Sequence, residues 1–135
     1  MLTDRGKQRA SFPLDDERDV HDLVFCLLRC LWSDARREEW TPSNAGNAKR
    51  IDIAVPSLRA LVEIKYARSA RHARGIADEL RIDIESYHSH PACGFLFCLV
   101  WDPHDHIADP HQIERDLSAS RNKGTATFDV AVRVV

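Results

Sequence analysis

The nine residues Cys93–Trp101, CGFLFCLVW, carry no charge and stand between Pro91 and Pro103. The run is too short for a buried helix, has no polar alternation, and is bounded by residues that stop regular structure. It reads as a β-strand buried on both faces, the kind found in parallel sheets with helices packed on either side. The rest of the chain has to form those layers. From Asp15 to Trp32, the residues Val20, Leu23, Val24, Leu27, Leu28 and Leu31 recur with the spacing of one helical face. Asp15, Asp16 and Glu17 lie near its start, where the helix dipole favours carboxylates. A second helix is predicted over 71–89, with Ile76, Leu80, Ile84 and Tyr87 on one stripe and Gly75 weakening its first turn. A short helix over 110–119 and a closing strand over 125–135 complete the chain.

Between the first two helices, REEW (37–40) suits a short edge strand, and TPSNAGN (41–47) is loop chemistry. RIDIAVPSLRALVEIKYA (50–67) then reads as two strands and a turn. The predicted order is α-β-β-β-α-β-α-β, an α/β fold with a central mixed sheet flanked by helices. With 135 residues, 44% of them hydrophobic, there is material for one core and not for two. Residues 1–14 are polar and aperiodic and are expected to be a flexible lead-in to a domain over 15–135. A net charge of −2 excludes a histone-like polycation, so a nucleic-acid partner has to meet a local basic patch. Cys26, Cys30, Cys93 and Cys98 all sit in apolar runs and read as buried free thiols. No apolar leader and no run of membrane-spanning length is visible, which points to a cytoplasmic protein with reduced thiols and no membrane contact.

The segment 50–67 is where the sequence points to chemistry. Strand alternation sets Ile51, Ile53 and Val55 on one face and Arg50, Asp52 and Ala54 on the other; on the next strand Leu61, Glu63 and Lys65 share a face. A turn centred on Ser57 and Leu58 puts Asp52 opposite Glu63 and Arg50 opposite Lys65. Two carboxylates facing each other across an antiparallel pair repel. One resolution is a solvated face with Asp52–Lys65 and Glu63–Arg50 ion pairs. The other is a divalent cation, since Mg²⁺ is held by one or two carboxylates together with waters and phosphate oxygens. Lys65, on the same face as Glu63, then stands where it can orient a water or steady charge building on a phosphate.

An Asp on one strand, about ten residues, then Glu-x-Lys on the next, between two helices, resembles the PD-(D/E)xK nuclease superfamily. Here the motif is Ile51-Asp52 followed by Glu63-Ile64-Lys65, without the usual proline before the aspartate. The likeness runs from about Asp15 to the end, and more narrowly is to restriction-endonuclease-like domains fused to bacterial defence proteins. It implies a restriction-endonuclease-like αβββαβ core and a nuclease that hydrolyses DNA with Mg²⁺ or Mn²⁺. Residue by residue, it makes Asp52 and Glu63 the metal carboxylates and Lys65 the catalytic lysine. Glu38 or Glu39 would supply a further acid, with Glu39 preferred. Exonuclease members carry Gln-x-x-x-Tyr on the following helix; Asp83 and Tyr87 have that spacing, with Asp in place of Gln, and stand either as supports of the site or as a helix-surface Asp beside a packed Tyr.

Basic residues cluster just past the motif in KYARSARHARG. Arg68, Arg71 and Arg74, with Arg50, are expected to track a DNA backbone, because phosphate contacts supply affinity and register; the plainer reading is a solvated helix start. Cleavage of both strands of a duplex is simplest with two sites about a two-fold axis, so a homodimer is expected, and association or fusion with a larger defence protein fits the likeness. The alternative from another class is a nuclease-like domain that binds DNA or a protein partner without cutting it. HSHPAC, with His88, His90, Cys93 and a distant Cys98, matches no common zinc spacing. His104, His106 and His111 read as surface residues of a Pro-containing loop, and the apolar settings of the cysteines argue against a reactive thiolate.

Overall fold

The computed structural model describes residues 13–40, 50–88, 90, 93–124 and 126–135, with the backbone alone at 38–40, 50, 123 and 126. In chain order come α1 (Glu17–Leu31), β1 (Arg36–Trp40), β2 (Arg50–Val55), β3 (Ala60–Tyr66), α2 (Ala70–His88), β4 (Phe95–Trp101), α3 (Pro110–Leu117), β5 (Ala119–Lys123) and β6 (Ala126–Val134). The acids before α1 are its cap: the Asp16 carboxylate accepts the Asp19 N–H at 2.9 Å and the Asp19 carboxylate accepts the Asp16 N–H, a reciprocal box that satisfies two helix-end donors. One 3₁₀ turn, Pro56–Leu58, joins β2 to β3 and closes with Arg59 in the left-handed region at φ 50°.

The six strands form one mixed sheet in the order β1-β2-β3-β4-β6-β5. The pairs β3–β4 and β4–β6 are parallel and the other three antiparallel. The two parallel pairs enclose α2 and α3, which pack together on one face. There Ile76, Leu80, Ile84 and Tyr87 of α2, all of the predicted stripe, close over Leu96, Cys98 and Val100 of β4 and Phe128, Val130 and Val132 of β6. On the opposite face α1 sets Val20, with half-buried Val24, Phe25 and Leu28, over Ile53, Val62, Ile64 and Tyr66. Leu14, from the expected lead-in, joins that cluster. No helix among the described residues is long and apolar enough to cross a membrane.

Four expectations are corrected. The sequence 119–123, ASRNK, has no strand pattern, yet it forms β5 because the edge of β6 offers it an antiparallel ladder from Ala119↔Val130 to Lys123↔Ala126. Of the α1 stripe, Leu27 and Leu31 are exposed, because α1 lies over β3 and β1 and turns that flank away from the sheet. Cys26 and Cys30 are exposed with them, whereas Cys93 and Cys98 are buried as predicted. Finally, Ile51 packs in the α2-side core and Ile53 under α1, so alternation breaks at Asp52.

Candidate active site

The geometry of the site follows from the end of the β2–β3 ladder. The two strands pair as Val55↔Ala60, Ala54↔Leu61 and Ile53↔Val62 and then part. Continued, that register faces Asp52 with Glu63, as the turn reading required. Beyond the last pair, the Ile64 N–H of β3 donates to Asp52 Oδ2 at 2.8 Å, so the carboxylate is pinned to the neighbouring strand by its own backbone. His21 of α1 approaches the same oxygen, its Nε2 at 3.4 Å. Among the described residues both donors fall on Oδ2, and none engages Oδ1. Asp52 thus lies at the parting of the strands and also lines a cavity of about 830 Å³ with Tyr66 from the sheet, Glu17, Arg18 and His21 from α1, and Arg68.

Glu63 and Lys65 reach toward α2. Glu63 is buried, and its Oε1 lies 3.1 Å from Lys65 Nζ while the Tyr87 hydroxyl donates to Oε2. Lys65 Nζ also sits 2.9 Å from Asp83 Oδ2 and 3.9 Å from Glu79 Oε2. Asp83 and Tyr87 are both buried, one helical turn apart, so α2 offers one side chain to each member of the Glu-x-Lys pair. The surface reading of Asp83 is thereby set aside: a carboxylate this buried is stabilised by the ammonium it holds.

Charge in the cluster is unbalanced in an informative way. Burial pushes the Glu63 carboxyl above its ordinary range, and the Asp52 charge pushes it further; Lys65 and the Tyr87 hydroxyl oppose this without cancelling it. For Lys65, burial works against the charged form, but the Glu63 and Glu79 carboxylates outweigh it and hold the pKa above the usual lysine value, so the group is an ammonium at neutral pH. Burial and the Glu63 charge raise the Tyr87 phenol, which is therefore a neutral donor. His21 is likewise raised: burial opposes its protonation, and the contact with Asp52 overcomes that.

Two carboxylates that repel across a strand gap, one of them opening onto a cavity, fit a hard divalent cation, which takes oxygen ligands and few protein donors. Among the described residues no group of three or more His, Cys, Asp or Glu is clustered as a metal site, so any such ion would draw the rest of its ligands from water and substrate.

Of the other residues singled out from the sequence, Arg68 borders both this cavity and a shallower one of about 390 Å³ with Ser69, Arg71, His72 and Glu79. Arg74 is exposed and lines neither. The side chains of Arg50, Glu38 and Glu39 lie outside the described residues; by backbone register Glu39 pairs with Ile51, beside Asp52. His21 was missed. The sequence did place it on α1, one turn after Glu17, but no spacing rule connects a helix residue to a strand thirty positions later. His88 Nε2 lies 2.6 Å from the Asn122 carbonyl oxygen.

No curated protein and no solved structure matches the chain. One family does, DpnII-MboI, described as REase_DpnII-MboI, over residues 1–134. A match over nearly the whole length, on a mixed sheet with the Asp and Glu-x-Lys side chains at adjoining strand positions, identifies the chain as a member of the DpnII-MboI restriction endonuclease family, a DNA nuclease family of the PD-(D/E)xK type.

Proposed function

We propose that the protein is a divalent-metal-dependent endonuclease that hydrolyses phosphodiester bonds of DNA, with Mg²⁺ or Mn²⁺ as cofactor, in cytoplasmic defence against foreign DNA. The observation that carries this reading is the convergence of Asp52, Glu63 and Lys65 at the parting of β2 and β3, with Lys65 kept charged and held by α2. Asp52 and Glu63 would hold the cation, which supplies neutralisation of phosphate charge and a water of lowered pKa. The Ile64 N–H and His21 fix Asp52 by one oxygen and leave the other directed to a ligand.

In the hydrolysis, water attacks phosphorus, the phosphorus–oxygen bond to the leaving sugar breaks, and negative charge grows on the non-bridging oxygens. The Lys65 ammonium, held between Glu63 and Asp83, is positioned to stabilise that charge without reorganising. Tyr87 keeps Glu63 in place through its hydroxyl. Arg68, bordering the cavity, contacts the DNA backbone and orients the scissile group. Glu39 remains the proposed further acid.

The direct test is incubation of purified protein with plasmid DNA in EDTA, Mg²⁺ and Mn²⁺. Cleavage only with metal, and its loss in Lys65→Ala, is the expected result. Cleavage by the Lys65→Ala protein at the wild-type rate would refute the role given to the lysine.

A further inference from the structure

Lys65 is held from more than one side. Its Nζ lies 3.1 Å from Glu63 Oε1, 2.9 Å from Asp83 Oδ2 and 3.9 Å from Glu79 Oε2. The three carboxylates are not equivalent. Glu63 is also a proposed ligand of the cation, and an ion there would share the charge that holds the ammonium and repel the ammonium itself. What then keeps Lys65 in place has to come from α2, where Glu79 and Asp83 stand one turn apart and reach the same nitrogen. The Asp83 side chain is buried. Glu79 is 43% exposed, and a glutamate so open has the rotamer freedom to leave the lysine for water.

His72 limits that freedom. Its Nε2 lies 3.3 Å from Glu79 Oε1, so one carboxylate spans the imidazole and the ammonium. A carboxylate only accepts, and Arg68 Nη2, at 3.5 Å from the same ring nitrogen, only donates; the shorter, charged contact fixes the proton on Nε2. The His72 side chain is 17% exposed, and its Nδ1 is buried with no hydrogen-bond partner among the described residues. Burying a polar nitrogen unpaired is unfavourable, so what the ring gains in this position lies at Nε2. The backbone beneath it is fixed as well: Ser69 Oγ accepts the His72 N–H at 3.1 Å in the first turn of α2.

His72 and Glu79 are separated by about 10 Å of helix rise, and they meet by leaning along α2 across the turn between them. That turn carries Gly75, three residues after His72 and four before Glu79, on the same face. A Cβ at Gly75 would meet nothing within 4 Å, so no close approach of another element requires the glycine, although glycine weakens a helix relative to alanine. Its bare backbone leaves a clear line from His72 to Glu79 within the shallow cavity that these residues share with Arg68. We propose that Glu79 is a positioning residue for Lys65, held against the ammonium by His72 across Gly75. The inference rests on the catalytic role given to Lys65 above, and it names what keeps that lysine in place once Glu63 is engaged.

The test joins kinetics to a readout that needs no turnover. In steady-state cleavage of a DNA duplex with saturating Mg²⁺, Glu79→Gln should lower kcat about 10–100-fold, the range for side chains that hold a site residue from behind, and leave KM and the melting temperature unchanged. His72→Ala should lower kcat too, and His72→Gln, with an amide N–H in place of Nε2–H, should recover most of the loss. Because His72 acts through Glu79, His72→Ala combined with Glu79→Gln should be no slower than Glu79→Gln alone. In metal-free protein the Lys65 Nζ resonance, read by ¹⁵N NMR of lysine-labelled protein and assigned by its absence from Lys65→Ala, should shift in Glu79→Gln and in His72→Ala and stay in place in His72→Gln. Wild-type kcat in Glu79→Gln, beside a Lys65→Ala protein that does not cleave, overturns the proposal and leaves the proposed function standing. A double variant slower by the product of the two single effects overturns the part given to His72. A wild type that never cleaves defeats the proposed function instead, and an unmoved Lys65 resonance in Glu79→Gln then overturns this inference as well.

Discussion

At the scale of single residues, Asp52 is the one whose placement is least like its surroundings. Its Oδ2 is bonded to a strand N–H, its charge raises Glu63, and a histidine from another layer leans on it. Asp52→Asn keeps an oxygen for the Ile64 N–H and removes the repulsion with Glu63. It should abolish metal-dependent cleavage while holding the melting temperature within a few degrees, since replacing a partly exposed charge costs within ~0.5 kcal/mol; cleavage assays and thermal melts on one preparation check both halves. His21 gives a pH signature. Its pKa is raised in the folded protein, so its contact with Asp52 contributes stability that is complete below the ordinary value of 6.5 and is lost as pH rises through the raised one. In metal-free protein His21→Gln should abolish that decline, so the gap in melting temperature between wild type and variant should narrow as pH climbs past 6.5. A gap that is flat with pH would show that the contact does not titrate.

Among the elements, α2 ties the site to the core. It delivers Asp83 to Lys65 and Tyr87 to Glu63 from the same helix whose Ile76, Leu80 and Ile84 are fully buried, so the supports of the site are as rigid as the packing beneath them. Tyr87→Phe leaves a buried carboxylate oxygen without its donor. The expected cost is about 1–3 kcal/mol of stability, measured by urea unfolding, with a fall in turnover. The turn from β3 into α2 carries the basic residues. Replacing Arg68, Arg71 and Arg74 together with Ala should weaken DNA binding across sequences and flatten its salt dependence by about 0.9 log–log units per lost phosphate contact. Fluorescence anisotropy over a salt series reads this, and an unchanged slope would return those arginines to the role of a solvated helix start. Because Arg68 borders the Asp52 cavity and Arg74 does not, the single Arg68→Ala variant should account for most of the change.

For the whole molecule, binding of a cation at Asp52 and Glu63 should appear as stability. A ligand that binds only the folded state stabilises by about 2.7 kcal/mol at a hundred times its dissociation constant. Mn²⁺ should therefore raise the melting temperature of wild type and leave Asp52→Asn unmoved, a measurement that needs no DNA.

Most of the fold was legible because periodicity is a local property. The helical stripe Ile76, Leu80, Ile84, Tyr87, the uncharged run of β4 and the hairpin register at Asp52 and Glu63 each follow from neighbours in sequence. The acids near the start of α1 announced a helix start, and one of them, Asp16, caps it in a reciprocal box with Asp19 of the first turn. What could not be read there depends on which element lies beside which. β5 exists because β6 exposes an edge, not because ASRNK prefers a strand. Leu27, Leu31, Cys26 and Cys30 are exposed because α1 sits over β3 and β1, and an apolar spacing says that a face is sticky without saying what meets it. His21 joins the site across thirty residues of sequence, and Asp83 is a buried ion-pair partner because Lys65 on another element points at it. Side-chain types and their periods determine the elements and name the chemistry; the layers decide which charges are desolvated, and so which of them can do work.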